Sequence, residues 1–236
     1  MIPRVDFFRS SNVLSGVDPV NDGLIRPAVT LLGLPALGSD TYLVASVEGA
    51  LNRYFDVTEF SYDELKLRAG IYQRLSPAMA IEVGWSNQQL FIASDDIFGL
   101  PRGTRFLNDH AVRLELSRRD QLAKNLSLSS FYQLRVSFAN PDDRSRIINV
   151  LFLSLNYDVT ANLQLGLDYQ FASANFTRQP RTDLYHQVLG RITYSAFRNT
   201  QLSAYAGFSL GNSTEPAIDF NSFLLGVSLT INFALF

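Results

Sequence analysis

The chain contains no cysteine, two histidines and one tryptophan among 236 residues. Lack of cysteine removes disulfide frameworks, thiolate metal sites and cysteine nucleophiles together. No uninterrupted apolar run approaches the roughly 20 residues of a membrane-crossing helix, which excludes a helical membrane protein. The first ten residues have no apolar segment of the kind that marks a secretory signal. A net charge of −2 leaves no basic excess for a nucleic-acid partner. Mean hydropathy lies near zero, a value that suits a soluble domain as well as a chain whose apolar residues occupy alternate positions only.

Alternation is what the chain does have. Over residues 223–236, Phe223, Leu225, Val227, Leu229, Ile231 and Phe233 fall on one face of an extended strand, and Leu224, Gly226, Ser228, Thr230 and Asn232 on the other. This is the apolar-out, polar-in dyad of a membrane-spanning barrel strand. Phe236 is out of phase with that row, and a bulge at 232–234 would restore it. About eleven further stretches show the same period: 4–12, 23–34, 41–55, 62–75, 79–93, 110–119, 126–138, 146–158, 163–175, 183–197 and 202–210. Most are about ten residues or more, the length a tilted strand needs to cross a bilayer.

The connections alternate in length. Segments 211–219, 177–182, 140–145 and 94–109 are long, whereas 198–200, 160–162, 121–124 and 76–78 are short. Bacterial barrels pair short periplasmic turns with longer outside loops. The expected fold is therefore an all-β, antiparallel outer-membrane β-barrel of about 12 strands, one domain over 1–236, with both termini periplasmic. A soluble sandwich or lipocalin-like barrel alternates in the same way. Two sets of aromatics argue against it: Tyr54, Phe55, Tyr62, Phe91, Phe106, Phe138 and Phe176 near one set of strand ends, and Tyr42, Tyr157, Tyr194 and Phe197 near the other, as in interfacial girdles. An exported protein without a leader at its start is expected to have lost a native signal, alone or together with an upstream domain.

Strand parity assigns a lumenal row. With Leu65, Leu67 and Ile71 toward lipid, Glu64, Lys66, Arg68, Tyr72 and Arg74 point inward, and the same rule sends Glu48, Glu82, Arg113, Glu115, Arg135, Asp168 and Arg191 inside. The interleaved signs suggest mutual neutralisation, since an unpaired charge in a confined interior is costly. Arg102 and Arg105 in the longest loop, beside Gly99, Pro101 and Gly103, are candidates for a constriction. Two readings follow: a passive pore for small polar solutes or ions, with a weak anion preference, or a plugged barrel that anchors or assembles a periplasmic domain.

An embedded hydrolase is the third class. His110 and Ser117 lie close in sequence, but parity turns His110 toward lipid and Ser117 inward. His186 reads as an interfacial residue, so no catalytic residue is assigned. The acidic pairs Asp95–Asp96 and Asp142–Asp143 and the stretch 18–22 match no organised calcium loop. No metal or cofactor is expected. Arg178 and Arg181 could reach anionic head groups or fold into the mouth.

Several strings taken together carry a family texture: NDGLIRP at 21–27, GWSNQQLF at 84–91, FLNDHAVRLELSRRD at 106–120, SFYQLR at 130–135 and DYQFASANF at 168–176. The chain resembles the C-terminal barrel region of cyanobacterial outer-membrane proteins that often carry tetratricopeptide repeats upstream. That resemblance implies a Gram-negative-type outer membrane, contact with its lipids and a periplasmic partner module. No 34-residue helical repeat is present in these residues themselves.

Overall fold

The computed structural model describes residues 1–94 and 100–234. Twelve strands follow one another: β1 (Ile2–Ser10), β2 (Asp22–Gly33), β3 (Thr41–Tyr54), β4 (Tyr62–Ser76), β5 (Met79–Ile92), β6 (Arg105–Ala123), β7 (Leu126–Asn140), β8 (Arg146–Asp158), β9 (Leu163–Phe176), β10 (Thr182–Phe197), β11 (Thr200–Ser213) and β12 (Phe220–Ile231). Each pairs antiparallel with its sequence neighbours, and β1 pairs with β12 in the register Phe7↔Val227 to close the barrel. The amino group of Met1 donates to the Phe233 carbonyl at 2.8 Å, so both described ends of the chain meet at the short-turn end.

The boundaries differ most from expectation at two strands, with smaller shifts at others such as β1 and β11. β6 begins five residues earlier than 110–119 and ends four later, which shortens the longest loop and makes Asn108 and Asp109 strand residues. Backbone pairing is indifferent to side-chain polarity, so the ladder with β7 runs past the apolar band through Arg118, Arg119, Asp120 and Gln121. β12 starts at Phe220 and ends at Ile231, three residues earlier and five sooner than expected. Asp95, Asp96, Gly99 and Phe236 lie outside the described residues.

The distribution of polarity is inverted relative to a water-soluble domain. Phe208 is 64% exposed, Val112 55% and Leu225 53%, and their rows continue through Val29, Leu31, Val47, Val83, Leu167, Val188 and Ile192 around the outer wall. Among the described residues, buried polar and charged side chains outnumber buried apolar ones, and most of the apolar ones are small. So continuous an exposed apolar band has its match in a lipid environment, not in water.

The aromatic girdles are sparser than expected. Phe55, Phe138, Tyr157, Tyr194 and Phe197 stand exposed on the outer wall. Tyr42, Tyr54, Tyr62 and Phe176 instead share the inward row, as their partners Tyr72, Leu24, Asn52 and Arg146 show. Being near a strand end does not settle which face a ring takes; parity does.

A charge at the middle of the apolar band tests this arrangement. Leu225→Arg is expected to lower stability in phospholipid vesicles by about 2–4 kcal/mol, measured by guanidinium unfolding, whereas Leu224→Ser on the inner row of the same strand costs less because it adds no charge to the apolar band.

Candidate functional site: the charged lumen

The interior faces of β1 to β7 carry an ionic belt made of three clusters. Arg26 on β2 donates from Nη2 to Glu48 Oε1 at 2.6 Å and to Glu64 Oε2 at 2.8 Å, and its Nη1 lies 3.8 Å from Asp6 Oδ2. Lys66 Nζ sits 2.9 Å from Glu64 Oε1, which also accepts from Gln88 Nε2 at 2.5 Å. Toward β6, Arg68 donates from Nε to Glu82 Oε1 at 3.0 Å and from Nη2 to Glu115 Oε2 at 2.8 Å. Arg113 bonds the same two carboxylates, to Glu82 at 2.9 Å and to Glu115, while Gln133 Nε2 donates to Glu115 at 2.6 Å. Arg135 pairs with Asp109, whose other oxygen accepts from Ser137 Oγ at 2.6 Å.

Two guanidiniums and two carboxylates thus share one quartet, of which Arg113, Glu82 and Glu115 are buried and Arg68 is partly exposed. Arg113 is 4% exposed, Glu82 5% and Glu115 7%. Charges so enclosed persist only when each is partnered and hydrogen-bonded, and here each is.

A second island lies on β8 to β10. Arg191 donates from Nε to Asp168 Oδ2 at 2.8 Å, from Nη2 to Asn156 Oδ1 at 2.8 Å and from Nη1 to Thr193 Oγ1 at 2.9 Å. Ser154 Oγ adds a bond to Asp168 at 2.5 Å. The guanidinium lies flat on the wall because Gly166 beneath it has no side chain: a Cβ there would sit 2.7 Å from Nη2.

These contacts follow the wall. Among the described residues no ion pair or side-chain hydrogen bond joins strands more than two apart, the widest being Arg26 to Glu64, Arg68 to Glu115 and Arg191 to Asn156. Interior cavities lie at both ends. One of about 400 Å³ at the short-turn end is bordered by Tyr72, Arg74, Ser117, Arg119, Phe131 and Phe152. Another of about 270 Å³ at the long-loop end is bordered by Phe8, Ser10, Tyr185, Gln187, Ser209 and Ser222.

Other expected site residues lie at the rims. Arg74 reaches Asp40 at 3.7 Å with half its side chain exposed. Arg102 is in an exposed turn before β6, and Arg105 opens that strand with Nη1 3.3 Å from Gln89 Oε1. Arg178 is paired with Asp142 at 2.9 Å, and Arg181 with Asp183 at 2.5 Å, so both are occupied within the protein.

Parity reasoning missed Arg26, the hub of the first network, and Asp109. Arg26 stands in an inward row with Leu24, Ala28 and Thr30, whose mixed character hides the dyad. Asp109 fell beyond the expected start of β6.

Both histidines lie on the outer wall. His110 stacks on Trp85 with ring centroids 5.8 Å apart, and His186 Nδ1 is 3.0 Å from the Tyr169 hydroxyl. Neither meets a serine hydroxyl among the described residues, and neither faces the lumen. The described residues also contain no group of three or more side chains placed to hold a metal ion.

Solved structures share this fold across nearly their whole length. An outer-membrane channel from Pseudomonas putida F1 superposes with a TM-score of 0.65 at 15% identity, over 98% of this chain and 94% of that one. The KdgM porin, solved with disordered oligogalacturonate, gives 0.51 at 14% identity over 98% and 99%. Outer-membrane phospholipase A from Escherichia coli gives 0.53 at 12% identity over 98% and 92%. No protein-family model matches the chain, and no curated protein matches its sequence. The fold is that of porin-like outer-membrane β-barrels, an architecture that serves channels and at least one enzyme.

Removing one member of the quartet leaves its partners enclosed and uncompensated. Arg113→Ala is expected to cost about 3–5 kcal/mol of unfolding free energy, and Arg113→Ala combined with Glu82→Gln less than the sum of the two single changes. Urea or guanidinium unfolding of the four proteins in one detergent provides the cycle.

Proposed function

We propose that this protein is an integral outer-membrane barrel, a passive pore for small polar solutes or ions through a lumen of mixed charge. The carrying observation is the direction of the ion pairs: each neutralises charge along the wall, and among the described residues none bridges the bore. Cavities at both ends and an opposite wall of hydroxyl and amide groups from Ser209, Gln187, Thr193 and Ser203 support the same reading. The oligogalacturonate in the KdgM structure supports polar solutes as a class. Mixed signs in this lumen give weak ion selectivity.

The long loops face outside and both termini face the periplasm in this reading, with lipids around the apolar band. A periplasmic module joined to the chain, as the cyanobacterial resemblance implies, fits termini that meet at the short-turn end. The enclosure of the Arg68–Glu82–Arg113–Glu115 quartet favours a second reading, a stiffened and closed barrel that anchors such a module.

Planar-bilayer recording separates the two. A pore gives reproducible conductance steps, and converting the more exposed lumenal bases, Lys66→Glu and Arg68→Glu, shifts the reversal potential in a salt gradient toward cation preference. Protein shown to be folded and inserted that passes no current sinks the pore reading and leaves the anchor.

A further inference from the structure

One half-buried lumenal arginine has no carboxylate partner among the described residues. Arg146 opens β8 on the inward row, opposite Phe176 on β9, at the long-loop end of the bore. The two described carboxylates in its neighbourhood, Asp109 and Asp183, are hydrogen-bonded to other side chains. Asp109 is held by Arg135 and by Ser137. Asp183 accepts from Arg181 Nε at 2.8 Å and Nη2 at 2.5 Å, and from Ser213 Oγ at 2.6 Å. Arg26, Arg68, Arg113, Arg135 and Arg191 all have acidic partners. Arg119, the other inward arginine without an acidic partner among the described residues, is exposed near the short turn.

The Arg146 guanidinium is also held in place. Its carbon lies 5.6 Å from the centroid of Phe176, a buried ring that carries Arg181 at 4.4 Å as well. An aromatic ring under a guanidinium attracts the charge and orients the plane without using its N–H donors. The buried Nε of Arg146, like those of Arg113 and neighbouring Arg135, finds no acceptor among the described residues; unlike those two, Arg146 makes no side-chain hydrogen bond among them. A planar donor fork, positioned but not neutralised, matches an oxyanion in bidentate geometry.

We propose that Arg146, seated on Phe176 with Arg135 and Arg181 beside it, is an oxyanion-binding station at the long-loop mouth, taking the carboxylate or phosphate group of a small solute that enters the bore. This rests on the pore reading for its role, since the site lies where a solute would enter. It gives the neutralised lumen one local point of anion capture. A mixed-charge belt then follows in which a captured anion meets no second free guanidinium until the short-turn rim.

The test is isothermal titration calorimetry of the refolded barrel in detergent at low ionic strength, with sodium glucuronate and inorganic phosphate titrated separately. The wild type is expected to bind at least one of them, Arg146→Gln about tenfold or more weakly, and Arg146→Lys in between, because a lysine keeps the charge and loses the fork. Binding of glucuronate alone assigns a carboxylate solute, and of phosphate alone a phosphorylated one. Absence of binding by the wild type, or equal binding by Arg146→Gln, overturns the proposal. Heat-dependent gel migration confirms that each variant is folded; should Arg146→Gln fail it, Arg146→Lys and Phe176→Leu carry the comparison. Bilayer recording of the same preparations keeps the readings apart. Conducting protein that binds neither anion removes the station and leaves the pore, while binding by non-conducting protein removes the pore and leaves the station.

Discussion

The structure depends on backbone hydrogen bonds that leave no strand edge open. In hydrocarbon an unpaired peptide group costs several kcal/mol, so a sheet can cross a bilayer only when its last strand returns to its first. Here β1 closes on β12 over residues 4–10 and 224–230, and the Met1 amino group finishes the seam on Phe233. Closure divides every strand into two rows with opposite requirements. The outer row is exposed and apolar; the inner row is polar and meets its own neighbours. The few bulges, at Arg74–Ser76, Leu90–Phe91, Gln121–Ala123 and Ser195–Phe197, sit near strand ends, where the alternation is least constrained.

Enclosing the inner row creates a second problem, solved by arrangement along the wall. Side chains on neighbouring strands of a sheet are close enough to pair directly, and long ones such as Arg26 and Arg68 reach a second strand over. Charges on the barrel wall therefore neutralise one another without spanning the bore. Space is made by omission where a guanidinium must lie flat, as over Gly166, and where the Tyr205 ring presses on Gly226, whose Cβ would come within 2.4 Å. The result is an asymmetric interior, ionic on β1 to β7 and mostly hydroxyl and amide beyond the Arg191 island.

How far this could be read in advance varies by element. β8 falls at 146–158 as its alternation indicates, and the dyad of β12 puts Leu225 outside and Ser228 inside, where it bonds Asp6. β6 is longer than its hydropathy suggests, because its polar ends continue the ladder outside the apolar band. Tyr42 and Phe176 lie near strand ends yet turn inward, so a girdle drawn from position along the chain alone takes in rings that belong to the lumen. Arg26 escaped notice because two of its inward neighbours, Leu24 and Ala28, are apolar; the same counting from Val29 and Leu31 would have found it.

What the sequence by itself determined is the class of fold: a period of two, repeated in stretches long enough to cross a bilayer and separated by alternating short and long connections, has one closed antiparallel solution in lipid. It also determined the direction of most side chains, since parity is a local property of the strand. Which charges meet was decided only by the tertiary structure, because pairing depends on the stagger between strands, and stagger is fixed by closure of the whole ring. That is why Arg68 and Arg113 come to share Glu82 and Glu115, and why Arg146, no different from them in sequence, lies over Phe176 with no carboxylate partner among the described residues.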